Sequence, residues 1–439
     1  MSLVYFKGIN HHKKKDTLGE DLKLLEPSDF CSVPLKIPNI SEALPIVSVG
    51  DIVSSGQLLA KPSSRFGTPI YSPVSGKVLN IFDKIDAQGE HTKHVLIFVD
   101  KEKKESVDLP EIESINDVSL LARLKESGIV DYLSKMPSYL KYVFSGSKTY
   151  NQMIILMDST DPTSSGYETL TRYHMEEVVN GAKYFLNITN AHYVTFVFNE
   201  SNYKLAHELA KHIKENKKNY DYRVKFIPNK YPFDNPYIIA KLIGGKTINK
   251  KTNFLEAGIA IETAESCYNF CRAVEFGKPV TQKVVSVGGD NVLRKGNYLV
   301  PLGTSYAEVL KEAGIEDDIV EIKLINGHLL SGRGECSDDL SVDLLTNSIV
   351  LMKHEIYMET KEYPCISCGK CASVCPMLLN PMLLDQAYID KDYEKLHKEN
   401  VQSCIECGCC SYVCPAKRFL SQRITAGKYY DKKNKGANK

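Results

Sequence analysis

An excess of charge of either sign is missing from this chain: 55 lysines and arginines face 54 aspartates and glutamates across 439 residues, a net charge of +1. No strong field therefore points toward nucleic acid or acidic lipid. Long apolar runs are missing as well. Tyr193-Val-Thr-Phe-Val-Phe198 is among the longest, far short of the roughly 18 residues that read as a bilayer span. The opening stretch, MSLVYFKGINHHKKKD, has neither an apolar core region nor a small-residue cleavage site, which argues against a secretory signal. No Ser-His-Asp or Cys-His constellation stands out. Nor is there a G-x-G-x-x-G, the turn whose backbone N–H groups usually cradle dinucleotide or flavin phosphates. The runs His11-His12 and Lys13–Lys15 read as solvated rather than metal-binding. With 43% apolar and 25% charged residues, the composition is that of an ordinary globular protein.

Cysteine is scarce except in one place: nine of the thirteen lie between Cys365 and Cys414. They are spaced as metal ligands rather than scattered as a disulfide framework, which fits a reducing compartment. Cys365, Cys368, Cys371 and Cys375-Pro376 form one run, and Cys404, Cys407, Cys410 and Cys414-Pro415 a second. Both follow C-x2-C-x2-C-x3-C-P, the bacterial two-cluster ferredoxin spacing, in which the fourth cysteine serves the other cluster. Cys365, Cys368, Cys371 and Cys414 should therefore hold one [4Fe–4S] centre, and Cys404, Cys407, Cys410 and Cys375 the other. A zinc site would leave the third cysteine and the trailing Cys-Pro unexplained, and both occur twice. Cys409 is surplus, a small loop residue where the first run has Lys370. Cys31 and Cys336 have no partners at ligand spacing. Cys267 and Cys271, four apart in a predicted helix, read as buried small hydrophobes. Between the runs, Met382–Leu396 has helical apolar spacing.

Upstream, 46–60 and 67–78 alternate short strands with Gly and Pro turns, a pattern resembling the barrel-sandwich hybrid of lipoyl and biotinyl domains. Lys61, in Leu-Ala-Lys-Pro, does not match their attachment hairpin, so a structural β domain is expected. From about residue 112 strands alternate with helices: strands at Met153–Asp158, His192–Asn199 and Arg223–Pro228, and a helix at Tyr203–Lys217 capped by Ser201 or Asn202. This is a parallel α/β pattern. Strand, turn, strand and helix in Thr281–Gly314 suggest a small β-grasp domain. The lysine-rich end reads as a frayed polar tail.

In this order the parts resemble the C subunit of the Rnf complex, an ion-translocating ferredoxin:NAD oxidoreductase of bacterial membranes. The resemblance runs through Phe6-Lys-Gly8, the barrel-sandwich segment, Arg272-Ala-Val-Glu-Phe-Gly-Lys-Pro279, Val284-Val-Ser-Val-Gly288, Asn297, Leu302-Gly-Thr304 and the double cysteine run. It implies a multidomain α/β and α+β chain. Residues 1–111 would form a barrel-sandwich hybrid and 112–280 a Rossmann-like parallel α/β domain related to the flavin- and NADH-binding subunit of complex I. Residues 281–350 would be a soluble-ligand-binding β-grasp domain, 351–428 a helical two-cluster ferredoxin domain, and 429–439 a flexible polar tail.

The family's flavin loop, Gly-Ile-Val-Gly-Leu-Gly-Gly-Ala-Gly-Phe-Pro, corresponds here to Gly128-Ile-Val-Asp-Tyr-Leu-Ser-Lys-Met-Pro137. It is one residue shorter, and Asp131, Leu133, Ser134, Lys135 and Met136 stand where small or glycine residues are expected, filling the space where backbone must meet phosphate. The family's Glu-Cys-Glu-Pro reads Ser159-Thr-Asp-Pro162. Gly128 and Asp161 remain as candidates for FMN contact, but the lost cradle disfavours FMN, and with it NAD(H). The expected function is therefore single-electron relay through two [4Fe–4S] clusters, with no side chain acting as acid, base or nucleophile. The expected partners are the other subunits of a membrane Rnf-type complex and redox proteins such as ferredoxin or flavin-bearing subunits. The expected location is peripheral, on the cytoplasmic face of the inner or plasma membrane. An FMN-containing NADH dehydrogenase subunit and a soluble iron–sulfur adapter for another reductase are the alternatives.

Overall fold

The computed structural model describes residues 7–10, 15–37, 40, 42–103, 105–143, 149–216, 220–248, 253–315, 322–353 and 361–437. Two small antiparallel sheets form the N-terminal β domain. One runs Phe30–Pro34, His91–Val99, Gly76–Ile85, Ile52–Val53; the other Leu44–Pro45, Leu58–Lys61, Ile70–Tyr71. Alternating residues of the first sheet, Cys31 and Val33 on one strand and Val95 and Ile97 on its neighbour, meet Leu59 and Val53 in a common core. The inward-outward alternation of half-buried strands produces this layer. Lys61 is exposed at the end of its strand.

The α/β domain follows. Its four parallel strands lie in the order Tyr222–Ile227, Val194–Asn199, Gln152–Leu156, Ile259–Thr263. The three strands other than Tyr222–Ile227 are buried throughout, as apolar runs must be when helices cover both faces. Helices Met175–Thr189 and Ala264–Glu275 pack so closely that a Cβ on Gly181 would strike the Cys267 carbonyl. Cys267 and Cys271 are fully buried in that contact, acting as small apolar residues. The first strand, Gln152–Leu156, has the second on one side and the last on the other. The strand order therefore reverses there, and the carboxyl ends of Gln152–Leu156 and Ile259–Thr263 meet at a switch point, the place where such sheets bind ligands.

Helix Tyr203–Glu215 is not capped by the side chain of Ser201 or Asn202. A 3-10 turn over Glu200–Asn202 intervenes, capped by Asn199, whose side chain accepts from the Ser201 amide at 3.0 Å. Asn202 is drawn away and donates to Asp158 at 2.5 Å.

Next comes a six-stranded mixed sheet with helix Tyr306–Ala313 packed into its core. Its edge strand, Leu22–Leu24, comes from the N-terminus and pairs in parallel with Gly296–Pro301. Strand Leu22–Leu24 thus belongs to this sheet and not to the barrel, while Ile9 bridges to Tyr231 of the α/β domain. In the C-terminal module the apolar stretch 382–396 is two helices, Pro381–Ile389 and Tyr393–Lys398, separated by a turn in which Lys391 takes a φ of 57°. The polar end is no tail: helix Leu420–Ala437 runs through it, with Asp431 buried. No helix among the described residues is long and apolar enough to cross a membrane.

Candidate iron–sulfur centres and the crevice beside them

The two cysteine runs fold as near copies. In each, the residue two past the first cysteine has positive φ, 54° at Ser367 and 57° at Glu406, and its amide points at that cysteine's Sγ at 3.4 Å. Gly369 and Gly408 follow at φ 73° and 75°, turning the chain into a short helix that carries the third cysteine. Three residues past each Cys-Pro cysteine, Leu378 and Lys417 again have positive φ. A loop turned this way points three thiols inward and presents N–H groups to sulfur, as cubane ligation requires.

The pairing is visible in what surrounds each hollow. Cys365, Cys368 and Cys371 line one cavity together with Cys414 of the other run. Cys404, Cys407 and Cys410 line a second together with Cys375. Among the described residues no three His, Cys, Asp or Glu side chains converge as on a single metal ion; the thiols surround cavities instead. Burial pushes Cys404 up to about 11 and Cys410 to about 12; a bound metal centre would supply the positive charge that favours their thiolates. The donor set fits two [4Fe–4S] groups.

The hollows differ in exposure. Cys365 and Cys368 are exposed and Ile366 beside them is 67% exposed. The second loop is docked against the rest of the molecule: the Tyr231 hydroxyl donates to the Cys407 carbonyl at 2.9 Å, and Gly408 lies so close to Leu330 that a Cβ would meet its carbonyl. Cys409, the surplus thiol, is fully buried in a small apolar cluster with Ile9 and Tyr231. Lys370, its counterpart, is exposed. One position is apolar and the other charged because only one of the two loops is covered.

From the C-terminal helix, Lys428 donates to the Cys404 carbonyl at 2.8 Å and pairs with Glu406. Gln402 donates to Asp431 at 2.8 Å. A cavity of about 620 Å³ separates this loop from the α/β domain, with Tyr132, Lys135, Tyr237, Phe254 and His328 on its walls.

Buried ion pairs occupy the switch point of the α/β sheet and its surroundings. Lys15, expected in a solvated run, is buried, donating to Asp158 at 2.9 Å and pairing with Glu168. Burial would lower its pKa, but the two carboxylates outweigh that and raise it. Burial and Asp158 push Glu168 well up. Asp158, held low by Lys15 against its own burial, keeps the charge. His11, His12, Lys13 and Lys14 lie outside the described residues. Lys283 pairs with Glu265 at 2.5 Å. Lys141 is 2.9 Å from Asp131 and 3.0 Å from Glu262 and donates to the Ile261 carbonyl at 2.7 Å. Of the two candidate flavin contacts, Gly128 faces Pro69 and Tyr71 of the β domain. Asp161 accepts from the Thr163 amide at 2.8 Å and from the Leu329 amide at 3.0 Å. Sequence reasoning missed Lys15, Lys141 and Glu262; apart from Asp131, ten residues before Lys141, their partners lie more than a hundred residues away.

Three family models match successive stretches: the RnfC barrel sandwich hybrid domain over residues 4–102, the Nuo51 FMN-binding domain over 124–272, and a 4Fe-4S dicluster domain over 357–415. The chain is 26% identical over 390 residues to the C subunit of the proton-translocating ferredoxin:NAD(+) oxidoreductase complex of Clostridium ljungdahlii, covering 87% of this chain and 84% of that one. It is 27% identical over 384 residues to the C subunit of the ion-translocating oxidoreductase complex of Rhodobacter capsulatus, covering 86% and 73%. It spans 48% of the corresponding Erwinia tasmaniensis protein at 27% identity. A chain of an NAD+-reducing [NiFe]-hydrogenase superposes with a TM-score of 0.49 at 11% identity, over 72% of this chain and 62% of that one.

Proposed function

We infer that this chain, a homologue of Rnf complex C subunits over 87% of its length, is an electron-transfer subunit of a membrane-bound Rnf-type ion-translocating oxidoreductase. One observation carries the reading: each of two cavities is lined by the three spaced cysteines of one run, joined in the second by Cys409, and by the Cys-Pro cysteine of the other. Cys365, Cys368, Cys371 and Cys414 would hold one [4Fe–4S] cluster, and Cys404, Cys407, Cys410 and Cys375 the second. Such clusters supply single-electron redox chemistry without proton transfer by the protein. The chain's own residues fix spacing and access. The exposed Cys365–Cys368 edge with Ile366 is where a one-electron protein partner, ferredoxin-like or flavin-bearing, would dock. The docked second loop faces the chain's interior. The other subunits would hold the chain at the cytoplasmic face of the membrane.

Paired variants test the cross-ligation. After anaerobic purification, Cys368→Ser and Cys414→Ser should each abolish one and the same reduced-cluster EPR signal, and Cys407→Ser and Cys375→Ser the other. If Cys414→Ser instead removed the signal lost in Cys407→Ser, each run would hold its own cluster. Co-purification with membrane subunits, lost on detergent dissociation, tests the location; a chain that fractionates alone would favour the soluble adapter.

A further inference from the structure

The match to an FMN-binding domain over residues 124–272 implies a flavin whose phosphate would rest on the 128–137 loop. We propose that in this chain the loop's anion-binding place is taken by its own Asp131 carboxylate, locked by Lys141 and Glu262, so that the domain is a flavin-free scaffold.

The loop is a hairpin, with Val130–Asp131 pairing antiparallel with Met136–Pro137. Inside it, Asp131 accepts from the Leu133 amide at 3.2 Å and from the Ser134 amide at 2.8 Å. Successive backbone N–H groups converging on one carboxylate are the arrangement that otherwise receives a phosphate. Here both donors are already used. The carboxylate is itself buried and fixed, because Lys141 bridges it to Glu262 and spends its third proton on the Ile261 carbonyl. Glu262 also accepts from the Tyr142 hydroxyl at 2.7 Å, and its other oxygen is buried without a hydrogen-bond partner. A flavin phosphate would therefore bring further negative charge against two carboxylates that share one lysine, in a place closed to water. It would also have to break two hydrogen bonds and an ion pair to enter. The neighbouring 620 Å³ cavity does not restore the cradle, because the loop presents Tyr132, Leu133 and Lys135 to it.

The test uses the full chain with its clusters, purified anaerobically. Acid-released flavin is measured, and the protein is titrated with FMN while flavin fluorescence is followed. No released flavin and no saturable quenching are expected. One FMN per chain, or saturable quenching of added FMN, would overturn the proposal. Asp131→Gly frees the two amides, so inorganic phosphate should raise its melting temperature by several degrees more than that of the unaltered chain. Asp131→Asn keeps an acceptor for the amides and should show no such gain. An equal response to phosphate in all three chains would mean that the carboxylate does not stand in an anion's place. If Asp131→Gly does not fold, the FMN titration of the unaltered chain decides alone. Iron content, measured on the same samples, reports the cluster reading separately.

Discussion

Equivalent residues in the two cysteine loops carry different burdens. Gly369 and Gly408 share the same left-handed backbone, but nothing lies within 4 Å of a Cβ on Gly369, whereas one on Gly408 would run into Leu330. Gly369→Ala should therefore cost only backbone strain, about 1 kcal/mol. Gly408→Ala should cost more than twice that and lower the iron retained after gel filtration, while Gly369→Ala keeps it. Equal losses would mean that the docking against Leu330 does not matter. The ion triads follow the same logic at higher stakes. Lys15→Ala leaves Asp158 and Glu168 buried without their cation, a loss of about 3–5 kcal/mol, readable as a fall in the denaturant midpoint. Lys15 also shows what a sequence hides. It ends a polar His-Lys run that looks solvated, yet its partners lie 143 and 153 residues downstream, and no local pattern reports a contact so distant. The cysteine ligands are legible because cluster spacing is local.

At the scale of elements, helix Leu420–Ala437 acts as a clamp. Lys428 and Asp431 reach back to the Gln402–Glu406 segment that leads into the second cysteine loop. Deleting residues 428–439 should reduce the signal that Cys407→Ser and Cys375→Ser each abolish and spare the other; equal loss of both would refute the clamp. In sequence the helix looks like a frayed tail because its lysine-rich stretch lacks an apolar stripe. Its order comes from tertiary contacts rather than periodicity. Three of the four parallel strands, by contrast, are legible to within a residue or two, because short apolar runs flanked by polar turns leave little choice; Ile259–Thr263 escapes that reading. The break in 382–396 is not legible either, since Asp392 caps a new helix inside an otherwise continuous apolar spacing.

At the scale of the whole molecule, stability depends on groups far from the clusters. His94 lies fully buried in the β domain, with Ser32 Oγ 3.0 Å from Nδ1 and Nε2 unpartnered. Burial, aided by Lys84, lowers it to about 4. An unfolded chain takes up a proton near pH 6.5 that the folded chain refuses until about pH 4. The contribution is therefore complete above pH 6.5 and declines as pH falls through that window, by on the order of 3 kcal/mol. His94→Gln should flatten the dependence of the melting temperature between those values; an unchanged slope would place its origin elsewhere. The order of the parts is legible, while the placement of Leu22–Leu24 in the distant six-stranded sheet is not, because strand pairing across 275 positions (Leu22 to Asn297) leaves no trace in spacing.

The most direct measurement is iron, zinc and sulfide analysis with EPR spin counting on the anaerobically purified, dithionite-reduced chain. Roughly eight irons and two magnetically interacting [4Fe–4S] spins per chain are expected. Stoichiometric zinc, or four irons and a single cluster, would contradict the electron-relay reading.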